Sequence, residues 1–192
     1  KVLNGFDIIN EYCTKNNIHL VLNLGDFYDG VVGKKTAYEA AVENYKIAEQ
    51  LINKVAKAPG IYHGILGGNH ETNLLKFGYD PIKFLTDERE DFISLGYKHS
   101  IIDLKDSSKS LGCFDIHHPN TFDFPVDLDE DGMDIAKVQN YLNNIYKKQG
   151  RNRDDSLIDI FGHVHRNQLS SLGGYCFLSR YFDGKNKKGA TH

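Results

Sequence analysis

Four short polar clusters carry the residue types that could do chemistry: Gly25-Asp26-Phe27-Tyr28-Asp29-Gly30, Gly67-Gly68-Asn69-His70-Glu71, His117-His118-Pro119 and Gly162-His163-Val164-His165. Each follows directly on a short apolar run: Leu20 to Leu24, Ile61 to Leu66, Leu111 to Ile116 and Leu157 to Phe161. Together they offer carboxylate, amide oxygen and imidazole, without thiolate. Such a mixed N and O donor set suits Mn²⁺, Fe or Zn²⁺ better than Ca²⁺ or an iron–sulfur cluster. In α/β sheets ligands bind beyond the carboxyl ends of strands, so clusters far apart in sequence can converge on one rim. The glycines before Asp26, Asn69 and His163 permit tight turns and close approach of the backbone.

The elements that must position these clusters can be read from spacing. Phe6, Ile9, Tyr12 and Cys13 recur at helical intervals through Asn4 to Asn16, and Ile18 to Leu24 follows as a β-prone run. Thr36 is placed to cap a long helix whose apolar stripe is Ala37, Ala41, Tyr45, Ala48, Ile52 and Val55, ending before Pro59-Gly60. Ile61 to Leu66 reads as a second buried strand, and Pro81 to Leu95 as a further helix. His99 to Leu104 and Leu111 to Ile116 form a hairpin about the polar turn Lys105 to Lys109. Asp134 is placed to cap a helix through Val138, Leu142 and Ile145, stopped at Gly150. Leu157 to Phe161 and Gln168 to Leu178 supply the last two strands. Strands alternating with helices early, then strand pairs, predict an α/β domain with a mixed sheet.

In order, these blocks resemble the signature of the calcineurin-like metallophosphoesterases: Asp-x-His, Gly-Asp-x-x-Asp, Gly-Asn-His-Asp/Glu, His, then Gly-His-x-His. Four of the five are present between Gly25 and His165. The resemblance implies a two-sheet, four-layer mixed β-sandwich flanked by helices, and hydrolysis of a phosphate monoester or diester with two divalent metal ions, Mn, Fe or Zn. It implies that Asp26 bridges the two ions, that Asn69, His117 and His163 complete one, and that His165 binds the other. His70 then stands beside the scissile phosphate as the catalytic residue, oriented by Asp29. The roles agree with the chemistry: two cations close together acidify a bound water and neutralise charge during in-line displacement, and a histidine can protonate the leaving oxygen.

The first block, Asp-x-His, is not in this chain; the resemblance puts it on a strand upstream of the Asn4 to Asn16 helix, so the chain is expected to lack its N-terminal strand. The Asp-x-His that is present, Asp115-Ile116-His117, stands at the place of the fourth block, and Asp115 is read as incidental. Gly30 after Asp29 counts against the Ser/Thr protein phosphatase branch, which has Arg there. A nuclease of the same family is the alternative enzyme, disfavoured by the net charge of −3. A non-catalytic binding scaffold on the same fold is the alternative of another class; intact His70 and Asp29 count against it.

Other residues read as structural. His19, His63 and His99 are taken as surface or hydrogen-bonded histidines without function. His117 is preferred over His118 as the ligand, since neighbours on a strand point to opposite faces. Glu71 is taken as a supporting hydrogen-bond acceptor. Asp127 to Gly132 imitates the start of a calcium loop, but its twelfth position is Val138 where a bidentate Glu is needed. Lys147, Lys148, Arg151 and Arg153 form a local basic patch at a helix end, read as complementing the helix dipole in preference to attracting an anionic partner.

At 192 residues, 40% hydrophobic and 26% charged, the composition is that of a single globular domain spanning 1–192 rather than a disordered chain. The apolar runs are far shorter than the ~18 residues of a membrane span. Cys13, Cys113 and Cys176 form no disulfide or zinc pattern, which suggests a reducing cytoplasm. The resemblance implies a phosphate-ester partner; the composition adds no membrane span and no general pull toward nucleic acid, which stays possible but not favoured.

Overall fold

A computed structural model of the chain describes residues 2–28, 36–107, 109–118, 135–148, 150, 157–162, 168–170 and 175–177. They fall into two compact units, Lys1–Lys98 and His99–His192. The class is α/β, with one sheet in each unit.

The first unit runs α1 (Val2–Lys15), β1 (Leu20–Asn23), α2 (Ala37–Lys54), β2 (Tyr62–Gly67), α3 (Asn69–Leu75), α4 (Pro81–Glu88) and β3 (Phe92–Tyr97). Its three strands lie side by side in chain order and are all parallel. The helices between them are the crossovers that parallel pairing requires. Thr36 caps α2: its Oγ1 accepts from the Glu39 N–H at 3.2 Å, and Glu39 accepts in return from the Thr36 N–H at 2.8 Å. The buried stripe of α2 is Ala40, Asn44, Ala48 and Leu51, continued by its C-cap Val55; it keeps Ala48 and Val55 of the expected stripe, whereas Tyr45 is 45% exposed. Buried Asn44 hides this stripe from an apolar count. The same happens in α1, where Asn10 rather than Tyr12 faces inward, its Oδ1 2.9 Å from His63 Nε2.

Leu51, Val55, Ile65, Ile82, Leu85 and Phe92 form the core of this unit. Each such side chain contributes roughly 1.5–3 kcal/mol by burial. The helix expected over Pro81 to Leu95 ends at Glu88, and its second half is strand β3. Arg89 makes the break. Its Nε and Nη2 donate to both Asp91 oxygens at 2.7 and 2.6 Å, and its Nη1 donates to the last carbonyls of α2, Leu51 O at 2.7 Å and Val55 O at 2.9 Å. A cation there also complements the α2 dipole.

The second unit runs β4 (His99–Asp106), β5 (Lys109–His117), α5 (Ile135–Lys148), β6 (Leu157–Phe161), β7 (Gln168–Ser170) and β8 (Tyr175–Phe177), in the sheet order β4-β5-β6-β8-β7. The β4–β5 hairpin is antiparallel from His99↔His117 to Asp106↔Lys109, and β6 joins β5 in parallel after α5. The single strand expected over Gln168 to Leu178 is instead two short strands, β7 and β8, paired antiparallel. Leu142 and Tyr146, one helical turn apart on α5, are buried.

Candidate functional site

In the first unit, two of the polar clusters meet at the carboxyl edge of the parallel sheet. Asn23 of β1 is level with Ile65 of β2, so the segments after both strands leave from the same edge. Beyond β1 the chain turns sharply: Gly25 has φ 101° and Asp26 φ 52°. The left-handed conformation comes easily to glycine and is one that aspartate tolerates better than most residues. The Gly25 N–H donates to Asn23 Oδ1 at 3.1 Å. At the end of β2, Gly67 has no room for a side chain, since a Cβ there would stand 2.2 Å from Cδ1 of Tyr97. Asn69 and His70 then open α3, and the His70 N–H donates to Asp26 Oδ1 at 3.1 Å.

Glu71 fastens the two segments together. It is fully buried; its Oε1 accepts from the Tyr28 N–H at 2.6 Å and its Oε2 from the Gly68 N–H at 2.8 Å. Burial pushes the Glu71 carboxyl above its ordinary range, the Tyr28 and Gly68 N–H groups oppose this, and the charge on Asp26 adds to it. One carboxylate thus sets the distance between the Asp26 turn and the Asn69-His70 turn. Asp26, Asn69 and His70 themselves are only half-buried.

His117 belongs to the second unit, at the end of β5, and is buried there with His118. Around it stand residues that motif reading set aside. Asp115 and Asp159 are cross-strand partners on β5 and β6, both fully buried. His117 Nε2 lies 3.2 Å from Asp115 Oδ1 and 3.2 Å from Asp159 Oδ1. His99 Nε2 pairs with Asp115 Oδ1, and the two imidazoles stack with centroids 4.8 Å apart. The Tyr146 hydroxyl lies 2.8 Å from Asp115 Oδ2 and 2.9 Å from Asp159 Oδ1 and shares its one hydrogen between them. Burial alone would raise the Asp115 carboxyl; the bond from His99, the charges of His117 and His99, and the Tyr146 hydroxyl more than reverse it, so Asp115 is held below its ordinary range. Tyr146 is pushed up by burial and by Asp115 and Asp159, and stays a donor.

The chain matches no family model and no curated protein. The resemblance to the metallophosphoesterases therefore stands on its motif blocks. Of the residues those blocks single out, the structure brings Asp26, Asn69 and His70 together in the first unit and puts His117 in the second. Asp29, His163 and His165 lie outside the described residues, as do the Asp134 cap and the acidic run 127–132.

Asp115 and His99 both belong to the cluster at His117, with Asp159 and Tyr146; of the two readings of His99, surface or hydrogen-bonded, the structure shows the second. The one signal for Asp115 was its place two residues before His117, which puts both on the same face of a strand. Nothing local marked His99, Asp159 or Tyr146. His63, by contrast, is structural as read: buried, bonded to Asn10 and stacked on Phe92 at 5.0 Å.

Proposed function

We propose that the chain is a metal-dependent phosphoesterase of the calcineurin-like kind, hydrolysing a phosphate monoester or diester. The observation that carries this reading is the contact between the His70 N–H and Asp26 Oδ1 at 3.1 Å, with Glu71 fastened to both segments. Two motif blocks separated by 44 positions are thereby held together at the edge of the sheet where α/β proteins take ligands.

The donor chemistry fits divalent cations of the Mn, Fe or Zn type: a half-buried carboxylate at Asp26, an amide at Asn69 and an imidazole at His117, with no thiolate. In this reading Asp26, Asn69, His117 and His163 would hold one ion, and Asp26 and His165 the other. Such ions, when bound, supply a hydroxide at neutral pH and offset phosphate charge. The protein's own part is orientation and proton transfer. The His70 N–H fixes one Asp26 oxygen at the sheet edge. The His70 side chain donates a proton to the departing oxygen, oriented by Asp29. The four-layer arrangement of the two sheets and a cytoplasmic location belong to the same proposal.

The test is kinetic, on metal-loaded protein including any residues encoded upstream of Lys1, where the resemblance puts the first block. His70→Asn should lower kcat on an aryl phosphate by about 10²- to 10⁴-fold with metal content unchanged, and lower it further on an alkyl ester, whose leaving group needs the proton more. Failure of the unsubstituted protein to turn over either ester refutes the proposal.

A further inference from the structure

The buried cluster of the second unit contains groups that the phosphoesterase reading does not use. Asp115 and Asp159 place two carboxylates side by side at full burial, an arrangement that needs positive charge close at hand. The described residues set against them the imidazoles of His99 and His117 and the hydroxyl of Tyr146. One ligating atom from each of His99, Asp115 and His117 lies within 4.8 Å of the other two. In a tetrahedral site with N and O donors at ~2.0–2.1 Å from the ion, neighbouring donors stand about 3.3 Å apart. The 3.2 Å separation of His117 Nε2 from Asp115 Oδ1 matches that edge.

The sheet builds this arrangement. His99 and His117 are direct partners across the β4–β5 hairpin, and Asp115 shares the His117 face because it lies two residues away. Tyr146 holds Asp115 by Oδ2, which turns Oδ1 toward the two imidazoles, the kind of outer hydrogen bond that orients metal-binding carboxylates. Asp115 and His117 are closed to solvent, whereas the His99 side chain is 24% exposed and offers the way in.

We propose that His99, Asp115 and His117 form a site for a first-row divalent cation, best suited to Zn²⁺, built entirely within the second unit. Two imidazoles and one carboxylate leave a fourth position for water, and the absence of thiolate argues against Cu(I). The site needs neither Asp26 nor Asn69 and does not depend on the phosphoesterase assignment. His117 is common to both sets, so His99 and Asp26 are the residues that separate them.

The test is metal binding by the full 192-residue chain, made metal-free and titrated with Co²⁺ as a visible stand-in and then with Zn²⁺. The unsubstituted protein should take up an equivalent of Co²⁺ that gives visible absorption bands, which Zn²⁺ displaces. His99→Asn, with His99→Gln as a more conservative partner, should lose that equivalent, while Asp26→Asn should keep it. Tyr146→Phe should keep it with about 10- to 100-fold weaker affinity, as removal of an orienting residue does. Circular dichroism of the metal-free variants checks that each folds; His99, being partly exposed, is the position most tolerant of change. Uptake and spectrum unchanged in both His99 variants would overturn the proposal, as would no uptake by the unsubstituted protein. An equivalent lost in Asp26→Asn and kept in His99→Asn would also overturn it, while supporting the phosphoesterase site.

Discussion

The clasp at Asp26 and the cluster at Asp115 each hold carboxylates by short hydrogen bonds, and they do so with different parts of the chain. At the clasp the donors are backbone: the N–H of His70 for Asp26, and those of Tyr28 and Gly68 for Glu71. At the cluster they are side chains: His99, His117 and Tyr146. Backbone donors are placed by the turn itself and carry no charge. They leave Asp26, Asn69 and His70 half-buried, where water or a ligand shares the load of solvation. The cluster is closed except at the edge of His99, so the charges of Asp115 and Asp159 have to be balanced inside the protein, and one missing partner leaves the others uncompensated.

The sharpest way to break the comparison is Asp115→Ala in metal-free protein. It removes the group that both imidazoles and Tyr146 face, and should cost about 3–5 kcal/mol by chemical denaturation. Hydrogen exchange should place the loss of protection in β5 and β6. A loss below 1 kcal/mol would mean that the cluster is open to water.

Glu71→Ala probes the clasp. It strips a charged acceptor from two N–H groups, each worth roughly 1.5–3 kcal/mol, so about 3 kcal/mol should be lost. Exchange of the Tyr28 and Gly68 amides should accelerate while β5 and β6 keep their protection. Equal acceleration in both units would show that the clasp is not a local device.

The smallest effect concerns His63, which belongs to β2 of the clasp's sheet and is buried like the cluster, but bonds to the Asn10 amide rather than to a buried carboxylate. Burial holds its pKa below the ordinary 6.5; the nearby Arg89 adds to this and Asp91 opposes it, while Asn10, Phe6 and Phe92 complete its surroundings. The unfolded chain therefore binds this proton more readily than the folded one. Stability should fall as the pH drops below about 6.5, by at most about 1.4 kcal/mol per unit, until the folded imidazole also protonates. Asp91 titrates elsewhere: Arg89 depresses its pKa below 3.8, so its contribution persists at higher pH and is lost only as the pH falls through that lower value. Denaturation of His63→Gln at a series of pH values between 7 and ~4.5 should show a flatter dependence; an unchanged slope would assign the effect to other groups.

Local sequence carried much of the fold. Thr36 announced the start of α2, the apolar runs announced β1, β2, β5 and β6, and the polar residues after β1 and β2 marked the edge where Asp26 meets His70. The reading failed where a polar residue sits inside. Asn10 and Asn44 occupy buried helical positions and shifted the expected stripes toward Tyr12 and Tyr45, because each looks solvent-facing until its surroundings are known. It failed again at Pro81 to Leu95, where Arg89, held by Asp91 and by the end of α2, stops the helix.

By itself, the sequence determined the α/β alternation, the Thr36 cap, and the polar clusters that follow its strands, because periodicity, capping and turn chemistry act over a few residues. Only the tertiary structure decided that His99 faces His117, that Asp115 faces Asp159, and that Tyr146 bonds both carboxylates. Those neighbours are set by strand register and by how α5 lies on its sheet. A shift of one residue in register would send every side chain to the other face, so no local pattern of residues encodes which of them meet.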